Sequence, residues 1–266
     1  MTRFSRRLAT ILLAAAVALG ACKQQEEVIA EQPVEDLYNT AVNSLLQENY
    51  ASAARQFDEV ERQHPYSVWA TRSQLMAAYA FYMDNKYDEA ISALDRFIQL
   101  NPANRDVAYA YYLKALCYYE QISDVQRDAR MTELALAALT DVVNRFPNSV
   151  FARDARLKIE LAHDHLAGKE MEVGRFYQRQ NQYLGAINRF RTVVQRYQTT
   201  SHVPEALHRL VECYLALGLV DEARRTASVL GFNYPGSEWY ADSYALIETG
   251  RVPAADRPGF LRRMFQ

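Results

Sequence analysis

Residues 87–102 read YDEAISALDRFIQLNP, and the spacing inside this stretch decides the fold. Tyr87, Ala90, Leu94 and Phe97 stand three, four and three residues apart. That interval returns side chains to one face of a helix. Pro102, twelve residues after Ala90, lacks an N–H and disfavours helix in the residue before it, so it ends the segment. The same pattern occurs four more times: Tyr50, Ala53, Phe57, Val60; Thr132, Ala135, Leu139, Val142; Tyr183, Ala186, Phe190, Val193; and Val220, Ala223, Ala227, Leu230. Pro65, Pro147 and Pro235 hold the place of Pro102, with Gln198 the exception.

Twelve residues before the alanine stand Ala41, Ala78, Gly174 and Val211. Mostly small, they fit a preceding helix that must approach closely. Each unit is therefore two antiparallel helices, A then B, joined by a short turn such as Gln47-Glu48-Asn49 or Asp84-Asn85-Lys86. The pattern resembles the tetratricopeptide repeat, although the tryptophan usual early in helix A is missing. In the third unit the small position is read at Leu116, nineteen before Ala135, so about seven residues are inserted around Ser123 to Asp128. Between Pro147 and Gly174 lie 27 residues of register, against 13 from Pro65 to Ala78. One helix of ~30 residues, spanning ~45 Å, is expected there, with Asn148 or Ser149 as its N-cap. The expected fold is all-α: a superhelical solenoid of five divergent repeats with a long central helix. Glu238 to Glu248, with Tyr240, Tyr244 and Ile247 at helical spacing, suits a cap on the last repeat.

The N-terminus reads as an export signal. Arg3, Arg6 and Arg7 precede an apolar run from Leu8 to Gly20, shorter than the ~20 residues that span a bilayer. It ends in Leu19-Gly20-Ala21-Cys22, followed by the polar Lys23-Gln24-Gln25-Glu26-Glu27. This is similar to the lipobox of bacterial lipoproteins, which implies cleavage before Cys22 and covalent diacylglycerol and N-acyl lipid on that residue. Lys23, rather than Asp, follows the cysteine, as in lipoproteins sorted to the outer membrane. The expected organisation is a signal peptide at 1–21, a lipidated linker at 22–35, and repeats one to three at 36–147. The long helix, repeats four and five and the cap fill 148–248, and a tail with four arginines runs through 249–266. Fully extended, Lys23 to Glu35 reaches at most ~45 Å. Cys117 and Cys213 fall inside helical patterns and are expected to be small buried hydrophobes.

No catalytic constellation is present in the sequence. His163 and His165 are two apart, and on a helix that spacing turns them to different sides, so no metal site is expected. No phosphate loop, nucleophile elbow or zinc-spaced cysteine pair occurs, and scattered Asp and Glu fit solvated helix faces. No enzyme and no cofactor beyond the lipid are expected. With 50% hydrophobic residues, only 9 Gly and 8 Pro, and a net charge of −2, the chain is neither disordered nor a nucleic-acid binder. It does hold 18 tyrosines. In the first two units, Tyr38, Val42 and Leu45, then Tyr79, Tyr82 and Leu75, take helix-A positions that line the concave side of such a superhelix. They form a candidate peptide groove, with interhelix packing as the plain alternative.

Several stretches resemble the BamD family, lipoproteins of the outer-membrane β-barrel assembly machinery. They are Leu94 to Pro102, Arg145 to Ser149 with Asp154-Ala155, Leu166 to Met171 running to Gly174 to Tyr177, and Ala186 to Phe190. The likeness covers roughly Leu37 to Gly218; the shorter third-unit insertion and the arginine-rich tail depart from it. The resemblance implies a lipid-anchored position on the periplasmic face of the outer membrane. It also implies binding to BamA and other subunits, and reception of unfolded β-barrel proteins in the N-terminal repeats. Arg189 becomes the candidate BamA contact. The rival expectation is another periplasmic repeat adaptor, coordinating cell-wall synthesis with the outer membrane; such adaptors share the loops at Pro65–Ala70 and Pro147–Ala152. They usually carry an N-terminal coiled coil, and no heptad run precedes Leu37.

Overall fold

The computed structural model describes residues 33–124 and 129–249. Cys22, the signal segment and the tail from residue 250 lie outside the described residues. Five helix pairs follow one another. They are α1 (Val34–Leu46) with α2 (Tyr50–Gln63), α3 (Val68–Met83) with α4 (Tyr87–Leu100), and α5 (Val107–Tyr119) with α6 (Arg130–Arg145). Next come α7 (Val150–Arg179) with α8 (Tyr183–Arg196) and α9 (Val203–Ala216) with α10 (Val220–Asn233), closed by α11 (Glu238–Thr249). The first helix begins at Val34, inside the stretch assigned to the linker. Its N-cap is Pro33, whose fixed φ suits a helix entrance.

The repeating turns have one physical basis. Between A and B the chain passes through the left-handed region at Glu48 (φ 60°), Asn85 (58°), Asn181 (58°) and Gly218 (75°). In the first unit Glu48 N–H donates to Leu45 O at 3.0 Å and Asn49 N–H to Ser44 O at 2.9 Å. The same pair of bonds recurs at Asn85–Lys86, Asn181–Gln182 and Gly218–Leu219, satisfying the last carbonyls of helix A in every unit but the third. Each B helix ends on a residue with φ between −134° and −125°: His64, Asn101, Phe146, Tyr197 and Tyr234. Four of these precede proline. Tyr197 precedes Gln198 and adopts the same conformation, so packing holds the break where proline is absent. Ser67 and Ser149 then cap α3 and α7, accepting from Ala70 N–H at 3.0 Å and Ala152 N–H at 3.1 Å.

The repeat face is the core. Ala53, Phe57 and Val60, Ala90, Leu94 and Phe97, Ala135, Leu139 and Val142, and Ala186, Phe190 and Val193 are all buried. Val211 packs with Ala223 and Ala227 in the fifth unit. Cys117 and Cys213 are buried free thiols, each pushed up to about 12 by burial. In the third unit the residue at the close approach is Ala115 rather than Leu116. Ala115 is fully buried among Leu139, Val142 and Ala155, while Leu116 is partly buried against the second-unit core. The insertion is thus about eight residues, and the register of helix A moves by one.

Helices α1 and α3, α3 and α5, and α5 and α7 touch one another, which places helix A of the first four units on the inner side of the superhelix. The 30-residue α7 belongs to both halves. Ala155 packs into the third-unit core, and Ala167 and Met171 pack into the fourth. In α11, Tyr240 lies against Gly231 and Ile247 joins the Val211 cluster. Tyr244, expected on the capping face, is instead 57% exposed, and Ser243 and Leu246 are the buried residues.

Candidate functional site

All six groove candidates are half-buried and rest on the core with one side. Tyr38, Val42 and Leu45 pack on the first-unit cluster, and Leu75, Tyr79 and Tyr82 on the second. Tyr38 meets Phe57 at 5.6 Å and Trp69 at 4.7 Å between ring centroids. Tyr82 lies 5.9 Å from Tyr87, and its Oη donates to Glu120 Oε1 at 3.4 Å. Burial first, then the Glu120 charge, pushes the Tyr82 phenol up to about 12. Tyr109 is pushed equally far by burial, aided by Tyr79 and Cys117. These phenols stay protonated, with the Tyr82 proton held by Glu120.

The third unit extends this surface. Tyr109 and Tyr112 lie 5.5 Å and 5.4 Å from Phe151, the second pair stacked. Tyr112 Oη donates to the Asp154 carboxylate; burial and that bond hold the phenol above its usual range. With the small position at Ala115, the residue three before it is Tyr112, in line with Tyr38 and Leu75 at intervals of 37. The repeat itself carries this signal, but a register set on Leu116 hides it. Rigid tyrosine rings at this helix-A position in the first and third units, with Leu75 in the second and Tyr79 beside it, suit an extended chain of mixed polarity.

The C-terminal lobe holds a second polar assembly. Arg189 Nη1 donates to Glu170 Oε2 at 3.2 Å, and its side chain is 44% exposed. The candidate contact is thus already engaged within the chain, joining α7 to α8. Deeper in, Arg175 Nη1 donates to both Glu205 oxygens at 3.0 Å. Arg209 bridges Glu205 at 3.3 Å and Glu212 at 2.8 Å, and Gln178 Nε2 donates to Glu212 at 2.8 Å. His208 is buried between Glu212, at 3.5 Å, and Ser243 Oγ, at 2.8 Å. Burial pushes the Glu212 carboxyl up, but His208, Arg209 and Gln178 outweigh it and hold it at about 2. These charges are not a solvated face: they tie α7, α9 and α11 together.

His163 packs on Tyr197 at 5.9 Å, whereas His165 Nε2 faces Ser123 O at 2.9 Å. Among the described residues no group of three or more His, Cys, Asp or Glu could hold a metal ion. No described helix is long and apolar enough to cross a membrane.

A stack of five helix pairs, an aromatic inner face and polar clamps between helices define a tetratricopeptide-type scaffold. The profile of the outer membrane lipoprotein family YfiO matches residues 30–230. The chain is 54% identical over 252 residues to the outer membrane protein assembly factor BamD of Caulobacter vibrioides, covering 94% of this chain and 83% of that one. To the BamD of Rickettsia prowazekii it is 46% identical over 245 residues, covering 91% and 97%. Among solved structures it aligns with the TPR2AB-domain complex of yeast Sti1 at a TM-score of 0.43 and 11% identity, covering 81% of this chain and 83% of that one. The chain belongs to the BamD family of outer membrane protein assembly factors, and the expected resemblance is borne out.

Proposed function

We propose that this chain is a lipid-anchored scaffold on the periplasmic face of the outer membrane that binds BamA and helps receive unfolded β-barrel proteins for insertion. The observation that carries the reading is the aromatic inner face running from Tyr38 through Tyr79 to Tyr112, on a chain of this family. Half-buried rings backed by a packed core cost little conformational entropy on binding. Their hydroxyl oxygens can accept from the N–H groups of a backbone that has lost its own partners. Catalysis has no place in this scheme, and neither has a cofactor. The lipid on Cys22 supplies the anchor, because several acyl chains at ~0.8 kcal/mol per buried CH₂ hold a soluble body at a bilayer.

The C-terminal lobe offers the rigid half for BamA. Arg189 is a partly exposed cation whose present partner, Glu170, a carboxylate of BamA could replace. Depletion of the protein should lower outer-membrane barrel levels, and affinity purification should recover BamA with other assembly subunits. Recovery of cell-wall enzymes without BamA would refute the reading. A photo-crosslinker at Tyr79 or Tyr112 should capture unfolded barrel proteins, and one at Arg191, on the exposed side of α8, should not. Palmitate labelling should disappear in Cys22→Ser.

A further inference from the structure

We propose that the N-terminal lobe rests end-on against the bilayer through a patch formed by Tyr66, Val68 and Leu100, flanked by Arg72 and Arg105. The inference rests on the lipid on Cys22 proposed above. Tyr66 is 102% exposed, Val68 78% and Leu100 62%. Each stands where a B helix ends or the next A helix begins, so all three lie at one end of the helix stack. Val68, Arg72, Leu100 and Arg105 line a single open depression with Asp106, whose half-exposed carboxylate lies 3.3 Å from Arg105, so the two loops form one surface. The opposite end of the same two units is polar, with Glu48, Asn49, Asn85 and Lys86 exposed and Leu46 the exposed large hydrophobic there.

The anchor enters the fold at the apolar end. Tyr38, in the second turn of α1, meets Trp69, in the first turn of α3, at 4.7 Å between ring centroids. The start of α1 therefore lies beside Tyr66 and Val68. Eleven residues separate Cys22 from Val34, a reach of at most about 40 Å. An acyl chain in the bilayer and these loops on its surface are compatible without strain. Tyrosine and aliphatic groups with arginines beside them match the headgroup level, where rings and stems lie in the apolar layer and guanidinium groups reach phosphates. Arg72 lies 5.4 Å over the Trp69 ring and, among the described residues, makes no ion pair. So small a patch would not hold a free protein. On a tethered one the local concentration is high enough for a weak contact to set orientation.

The test uses the processed, lipidated chain in vesicles of phosphatidylethanolamine and phosphatidylglycerol. Nitroxide labels go on Tyr66→Cys, Leu100→Cys and, at the polar end, Leu46→Cys; Cys117 and Cys213 are buried. The first two labels should show a several-fold higher ratio of oxygen to nickel-complex accessibility than the third. Val68→Ser with Arg72→Ser should reduce that ratio at Leu100→Cys. Flotation with all three labels equally in water overturns the patch and leaves the anchor standing. Failure to float overturns both. Protection of the labels only after BamA is added assigns the surface to a protein and overturns the bilayer contact.

Discussion

Two residues show how tightly single positions are set. Glu48 sits at φ 60° in a turn where Gly218 holds the same place in the fifth unit, and a side chain in that region costs about 1–2 kcal/mol. Glu48→Gly keeps the turn bonds and should stabilise the fold by about 0.5–1 kcal/mol, after the entropy glycine loses on folding. A rise in urea midpoint at unchanged slope would show this; a fall would mean that the glutamate side chain contributes more than its backbone costs. Gly174 is the opposite case. A Cβ there would lie 2.5 Å from Phe190 Cε1, inside a fully buried ring. Gly174→Ala should cost about 1–2 kcal/mol despite its better helix propensity. Gly185→Ala, 3.3 Å from the partly buried Tyr177, should be neutral or stabilising in the same denaturation assay.

Between helices, the deciding interactions are those that sequence periodicity renders poorly. The alanine register and the proline breaks are legible because helix geometry alone fixes them, and α7 with its Ser149 cap follows from the one gap too long for a loop. Sequence spacing does not separate Leu116 from Ala115, because the count back from Ala135 crosses an insertion whose length periodicity does not fix. Only the neighbouring Ala155 on α7 decides which side chain is buried. The cluster of Arg175, Glu205, His208, Arg209 and Glu212 was hidden for another reason. Pairs three and four apart look like ordinary solvent-facing helix pairs, and only the packing of α7 and α11 against α9 buries them. Glu212 makes this testable. Its folded carboxyl is held at about 2, below the ordinary 4.5, so folding favours the ionised form. The stabilisation is complete above about pH 4.5 and is lost as pH falls toward 2, on the order of 3 kcal/mol in all. Stability measured across that window should fall more steeply in the parent chain than in Glu212→Gln, which starts lower at neutral pH. Parallel acid limbs would show that the carboxylate contributes nothing specific.

Over the whole molecule, one helix sets where the two lobes stand relative to each other. The N-terminal part of α7 is bound into the third-unit core through Ala155, and its C-terminal part into the fourth through Ala167 and Met171. Between them Leu157 and Leu161 are 65% and 58% exposed. Lateral ties at this midpoint are a few small contacts, with Ala162 buried, Ile159 against the third-unit core and His163 on Tyr197, together with polar links. Thr199 Oγ1 donates to Glu160 at 2.8 Å, Ser201 Oγ to Asp164 at 3.1 Å, and His165 faces Ser123 O. Continuity of the backbone hydrogen bonds then keeps the N-terminal repeats, proposed to receive peptide, at a fixed distance from the lobe proposed to hold BamA. Leu161→Pro removes one of those bonds and drives its ring against the carbonyl of Leu157, at about 3 kcal/mol or more. The side chain itself faces solvent, so Leu161→Ala isolates the backbone effect. Each lobe retains its own core in the proline variant, and circular dichroism should fall by no more than a few residues' worth of helix. Small-angle scattering should nevertheless show a broadened distance distribution, and limited proteolysis should cut within residues 157–161. In cells depleted of the native protein, Leu161→Ala should restore barrel assembly and Leu161→Pro should not, even at equal abundance. A proline variant whose scattering curve superimposes on the parent's would mean that the polar ties, and not the helix, hold the lobes in place.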